Sequence, residues 1–212
     1  MLDWLGIVEA ARVGGWIVYP LSLLAVIALI VILDRTYVFW RFASLPRTAG
    51  TRVDMTEHRD IDATLKALPE PHALRKLLMP LIGNAGKPVW WIEAKSQALA
   101  LEVQRDMARG LWVLETIVTA APLLGLLGTI VGMMHAFRLI GDKGLVNPTG
   151  VTGGVAQALV ATAIGLVIAV VALFAFNYFS RRVDRLLDEL EAYANAWLSD
   201  VRLGREQPVE TA

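Results

Sequence analysis

The sequence contains no cysteine, which excludes a disulfide framework, a thiol nucleophile and a Cys-ligated zinc or iron–sulfur site together. Charge is scarce too, at 19% of 212 residues, and balanced, with 20 Lys and Arg against 20 Asp and Glu. No basic surplus points to nucleic acid, and no acidic tail points to a disordered binding segment. His58, His72 and His135 stand apart, without partners at metal-ligand spacing. No glycine-rich phosphate loop opens a helix after a strand. The expectation is a chain with no metal, no cofactor and no enzymatic activity. A cleavable leader is not evident either: "MLDWLGIVEAARVGGW" has no basic start or small-residue cleavage site, and Asp3 and Glu9 precede its only Arg; such a start reads as retained.

Apolar residues are abundant, at 56%, with a mean hydropathy of +0.53, which makes lipid the expected solvent. Three stretches carry no charge: Trp16–Leu33, Thr116–Met134 and Val151–Ser180. A helix needs roughly 20 apolar residues to cross the hydrocarbon core, so each reads as a span, and the third is long enough to project beyond the lipid or tilt. Lys and Arg close to the span ends set orientation. Arg35, Arg41, Arg47, Lys95, Arg105, Arg109, Arg181, Arg182 and Arg185 fall on one side, against Arg12, Arg138 and Lys143 on the other. That asymmetry predicts an outer N-terminus and a cytoplasmic C-terminus.

The resulting all-α organisation has an outer N-terminal segment over 1–15, which reads as a short surface helix or a frayed end. Transmembrane helices follow over 16–33, 111–140 and 151–180. A cytoplasmic helical insertion occupies 34–110, an outer loop 141–150, and a cytoplasmic C-terminal helix and tail 181–212. Pro46, Pro69, Pro71, Pro80 and Pro88 divide the insertion into short pieces. The proline-free stretch from Trp90 to Ile117 predicts that the second membrane helix starts well inside the cytoplasm, and the third helix is expected to run on likewise. After it, Val183, Leu187, Leu190, Ala194, Trp197 and Val201 form a stripe at 3–4 spacing, which calls for a partner helix from this chain or a copy. Trp4, Trp16, Tyr19, Trp40 and Trp112 fit interfacial anchors.

Small residues stand where Leu would suffice to fill a membrane helix. Ala121, Gly125, Gly128 and Gly132 form a ridge on the second span, and Gly154, Ala158, Ala161, Gly165, Ala169 and Ala172 form one on the third. Such ridges let helix backbones approach closely in lipid, where no hydrophobic drive brings helices together. They serve the packing of spans two and three alone, or also the approach of a further helix. Glu115, Thr119, Pro122, Leu126, Thr129 and Met133 share a second stripe of about 80°. A membrane Thr often bonds the preceding turn, but two of them in line with a carboxylate also suit a bundle interior or a water path. Gln157 and Thr162 flank the third span's ridge about 140° apart, too far for both to turn toward one neighbour.

"APLLGLLGTIVGMMHAF", followed by "GGVAQALVATAIGLVIAVVALFAFNYF", resembles the MotA/TolQ/ExbB proton-channel family, and most closely its ExbB and TolQ branch. "YPLSLLAVIALIVILDRTYVFWRF", with Asp34–Arg35, resembles the first span of that branch. The resemblance implies a bacterial inner-membrane protein with a periplasmic N-terminus, assembled as a homopentamer whose second and third helices line a central pore. It implies a one-span ExbD- or TolR-like partner in that pore, bearing an Asp, and a TonB- or TolA-like protein driven by proton flow. Thr129 and Thr162 match the family's pore-facing threonines, and with Gln157, Glu115 and Thr119 make up the expected proton pathway. Pro122, Gly125, Gly128, Gly132, Gly154, Ala158 and Gly165 are the expected helix-packing residues. Gln157 stands where the branch usually has Glu, so this position cannot titrate here. ExbB-like work on TonB leads, ahead of TolQ-like envelope maintenance and a non-conducting scaffold. A four-span flagellar stator does not fit three spans.

Overall fold

The structure, a computed structural model, describes residues 15–42, 65–66, 68–70, 72–141 and 148–206. It contains α1 (Val18–Phe42), α2 (Ala73–Ile82), α3 (Val89–Ala108), α4 (Leu111–Gly141) and α5 (Pro148–Glu206). Among the described residues every regular element is helical. Three helical stretches are long and apolar enough to cross a membrane: Val18–Arg41, Leu111–Arg138 and Gly150–Leu203. Most of the expected N-terminal segment, the insertion over 43–64, the loop over 142–147 and the tail beyond 206 lie outside the described residues. So do Trp4, Arg12, Pro46, Arg47, His58, Pro71 and Lys143.

The helices form two compact units, one of the described residues to Leu33 with Gly110–Tyr178, the other Asp34–Arg109 with the described residues from Phe179. In the first unit, a turn enters α1, with Gly15 at φ +68° accepting from the Val18 N–H at 3.1 Å. Pro20 falls in the first turn of α1, where a missing backbone N–H costs nothing. The buried residues are mostly small or sit near helix ends: Leu21 and Ala28 of α1, Leu114, Ile117, Ala121 and Ala136 of α4, Ala158, Ala161 and Ala172 of α5. Large side chains such as Leu123, Ile130, Phe137, Leu166, Val170 and Phe174 face outward. Small inside and large outside is the packing expected where lipid solvates the exterior.

The second unit has an ordinary apolar core. Leu77 and Leu81 of α2, Ile92 and Val103 of α3, and Leu190 of α5 are almost completely buried. Phe39 stacks on Phe179 with ring centroids 5.7 Å apart. The α2 start is capped by His72, whose Nδ1 accepts from the Leu74 N–H at 3.3 Å. Ion pairs join Lys76 to Asp106 and Arg202 to Glu93.

Four expectations are corrected. The stretch from Trp90 to Ile117 is not one helix: α3 stops at Ala108 and α4 starts at Leu111. Gly110 turns the chain there at φ +82°, a backbone region that side-chain-bearing residues rarely adopt. The first long helix continues past Leu33 to Phe42, because Asp34 and Arg35 end the apolar run without ending the helix. Pro80 lies inside α2 rather than between elements, while Pro88 does precede α3 as its N-cap. On the last part of α5 the buried stripe includes Leu186 and Leu198, whereas Leu187 and Val201 are half-buried. The expected run of the third helix beyond its apolar span is present, since α5 is continuous over 59 residues.

Candidate functional site

Helices α4 and α5 meet along their glycines, and the pairings run in opposite directions along the two helices. A Cβ on Gly165 would lie 2.5 Å from the Ala121 carbonyl oxygen, and one on Gly125 would lie 3.0 Å from the Thr162 Cα. These neighbours are backbone atoms and cannot swing aside. Further along, a Cβ on Gly128 would meet Ala161 Cβ at 2.6 Å, one on Gly132 would meet Ala158 Cβ at 2.9 Å, and one on Gly154 would meet Ala136 Cβ at 2.8 Å. The two ridges thus fill each other within one chain, with Ile17 Cγ2 also 2.9 Å from where a Cβ on Gly128 would sit, so a partner's helix must use another face of the pair. Pro122 lies inside α4, which continues through it; its ring is half-buried.

Thr162 is tied into this contact. Its Oγ1 donates to the Gly125 carbonyl at 2.9 Å, so an α5 side chain satisfies an α4 backbone group at the closest approach. Thr129, one turn beyond Gly125, donates to the Leu126 carbonyl of its own helix at 2.7 Å. Thr119 does the same to Thr116 at 2.9 Å. A hydroxyl whose proton is committed to a carbonyl still offers lone pairs, so in this arrangement both Thr129 and Thr162 are acceptors.

The five polar positions do not form one cluster. Thr129 and Thr162 lie close to the Gly125 level, whereas Glu115 and Thr119 are exposed toward the Leu111 end of α4, with Glu115 about 15 Å along the helix from Gly125. Gln157 has a different neighbour from Thr162: its Nε2 lies 1.9 Å from where a Cβ on Gly15 would sit. It lines a cleft with His135 and the α1 entry turn. Among the described residues no three His, Asp or Glu side chains gather in a way that could hold a metal ion.

Sequence reasoning missed the partners of Arg35. In the second unit this residue is 6% exposed, and its Nη1 donates to the carbonyls of Asp106 at 3.2 Å and Met107 at 3.3 Å. Its Nε and Nη2 bond the Asp34 carboxylate at 3.0 and 2.5 Å. A guanidinium placed on the last carbonyls of α3 satisfies groups that a helix end leaves unpaired and favours the negative end of its dipole. The Asp34–Arg35 pair at the end of an apolar run was the available signal; the carbonyl partners, 71 and 72 residues away, were not.

Small-residue contact between long apolar helices, with hydroxyls facing backbone carbonyls, defines a multi-span membrane protein. Residues 67–192, more than half the chain, match the MotA/TolQ/ExbB proton channel family. The chain is 27% identical over 191 residues to an ExbB homologue of Methanothermobacter thermautotrophicus, covering 87% of this chain and 67% of that protein. It is 38% identical over 88 residues to ExbB of Aquifex aeolicus, covering 41% and 60%. To the ExbB-like 3 protein of Synechocystis it is 31% identical over 182 residues, covering 78% and 81%. Less than two thirds of the Aquifex protein is therefore spanned. The chain belongs to the MotA/TolQ/ExbB proton channel family, on its ExbB branch.

Proposed function

We propose that this chain is a non-enzymatic, ExbB-like motor subunit of the bacterial inner membrane, with its N-terminus in the periplasm and its C-terminus in the cytoplasm. Five copies surround a pore lined by α4 and α5. The pore holds the membrane helix of an ExbD-like one-span partner, and proton flow through the assembly does work on a TonB-like protein for uptake across the outer membrane. The observation that carries this reading is the α4–α5 contact within the family-matched segment, where Thr162 bonds Gly125 and Thr129 lies one turn away.

The chemistry follows from which hydroxyl groups are free. With their protons given to backbone carbonyls, Thr129 and Thr162 can accept a hydrogen bond from water or from a protonated carboxyl. They cannot donate to a carboxylate without giving up a backbone bond. In a low-dielectric wall, this arrangement favours the neutral form of a partner's acid over the charged one. The partner thus enters the contact protonated and leaves it when it ionises, which couples proton movement to helix movement. The exposed apolar faces of α4 and α5 supply the surfaces against lipid, neighbouring copies and the partner.

Native mass spectrometry of the purified chain, co-expressed with a one-span protein carrying an intramembrane Asp, tests the assembly. Five copies with the partner retained are expected. A monomer or dimer that retains no partner would remove the pore from the account and leave the glycine ridges as intramolecular packing alone.

A further inference from the structure

The end of the first unit at which α1 begins holds a cleft of about 240 Å3, lined by Trp16 and Ile17 of the entry turn, Val131, Gly132 and His135 of α4, and Gln157 of α5. The span-length stretch of α4 ends at Arg138, and that of α5 begins at Gly150. The cleft therefore lies within about two turns of the membrane surface on both helices. Trp16 is 60% exposed, which suits that depth, where indoles collect between hydrocarbon and water. Three side chains bring N–H donors to the cleft: the indole of Trp16, the imidazole of His135 and the amide of Gln157.

Charge at this end is of one sign. Among the described residues of the first unit, Arg138 is the one Lys or Arg and Glu115 the one Asp or Glu. Arg138 is exposed, one turn beyond His135 and on the same side of α4. Glu115 lies about 30 Å before His135 along the helix, so no acid among these residues reaches the guanidinium. A cation with N–H donors beside it and no carboxylate in reach is matched by a phosphodiester, whose charged oxygens accept hydrogen bonds. From Trp16, an exposed apolar stripe of α1 continues through Tyr19, Leu23, Val26 and Ile30, a surface for acyl chains. The ligand that satisfies both parts carries a phosphate at one end and hydrocarbon at the other.

We infer that this cleft binds the headgroup of an anionic phospholipid of the phosphatidylglycerol type. The phosphate is held by the Arg138 guanidinium with the indole and imidazole N–H groups, and the glycerol hydroxyls meet the Gln157 amide, which both donates and accepts. A phosphatidylethanolamine headgroup fits less well, because its ammonium would stand beside Arg138 with no carboxylate to receive it. Lipid held there bridges the α1 entry turn to α4 and adds to the packing of Ile17 on Gly128. The site needs the bilayer but neither a pore nor proton coupling, so it stands or falls apart from the function proposed above.

The test is photo-cross-linking of the full-length chain in vesicles, read by peptide mass spectrometry. Phosphatidylglycerol and phosphatidylethanolamine carry the same diazirine high on one acyl chain. Adducts near Arg181 and Arg182, exposed beyond the apolar run of α5, are the internal reference, since basic helix ends gather anionic lipid generally. Wild type is expected to be labelled at Trp16–Tyr19 and Val131–His135 by phosphatidylglycerol in preference to phosphatidylethanolamine. Arg138→Gln should lower that labelling about tenfold against the reference, the effect of losing one charge-assisted hydrogen bond, and Arg138→Lys should retain most of it. His135→Phe, which keeps a ring and removes the N–H, should lower it about fivefold and serves alone if Arg138→Gln is not recovered in the membrane. Equal labelling of the wild-type cleft by the two lipids, or wild-type labelling in these variants, would leave only unselective surrounding lipid and overturn the site. Displacement of the labelled lipid by glycerol 3-phosphate would assign the cleft to a soluble phosphate and overturn its assignment to a lipid.

Discussion

The two units bury opposite kinds of residue. In the first, glycine and alanine lie inside and Leu, Val and Phe lie outside; in the second, Leu77, Leu81, Ile92 and Leu190 lie inside and the charged residues of α3 and α5 are turned outward. Solvent accounts for the difference. Water drives burial of large apolar surface at roughly 25 cal/mol per Å2, whereas lipid offers no such gain and leaves close backbone approach and hydrogen bonds to hold helices. One chain uses both strategies, and α1 and α5 each pass from one environment to the other.

The sharpest way to break this comparison is Gly165→Leu. Its side chain would project into the Ala121 carbonyl, so loss of folded, extractable protein is expected on size-exclusion chromatography. Even Gly165→Ala should cost about 1–3 kcal/mol by overpacking, seen as a lower midpoint in a thermal-shift assay. In the second unit the logic reverses: Leu77→Ala removes volume from a filled core and should cost about 2–5 kcal/mol, measured by denaturant titration in detergent. Arg35→Ala should cost about 1.5–3 kcal/mol, because it deprives two α3 carbonyls of a charged donor, and hydrogen exchange should rise in the last turn of α3. The smallest effect is expected from Gly153→Ala, where nothing lies within 4 Å of the added carbon. It should be neutral or stabilising by up to about 1 kcal/mol, since Ala is the better helix former. If Gly153→Ala proved as damaging as Gly165→Ala, close approach would not be what the glycines provide.

Much of the architecture was legible because lipid imposes a simple rule. Charge-free runs mark the three helical stretches that are long and apolar enough to cross a membrane, and the glycines of the two ridges lie in the α4–α5 contact. What stayed hidden depends on tertiary partners or on single-residue geometry. The Arg109–Gly110 break interrupts an apolar pattern that continues on both sides, so only the backbone angle of Gly110 reveals it. The burial of Arg35 comes from carbonyls distant in sequence. The choice of Leu186 over Leu187 in the core reflects the rotation of α5 against its neighbours, which the 3–4 pattern of a Leu-Leu pair leaves open. For the polar positions, Thr162 bonds α4 and Gln157 rests on the α1 entry turn, about 140° apart on the helix. Which hydroxyl donates to which carbonyl is a matter of contact alone.

The account's central claim is that Thr129 and Thr162 serve proton coupling rather than cohesion, and the Thr129→Val/Thr162→Val double variant tests it most directly. Each substitution keeps the branched shape and removes the hydroxyl, and the lost Thr162–Gly125 bond should cost only about 0.5–1 kcal/mol in a membrane. Assembly with the one-span partner and proton uptake into vesicles are measured on the same preparation. The account predicts an intact complex that no longer takes up protons; an intact complex with wild-type uptake would contradict it.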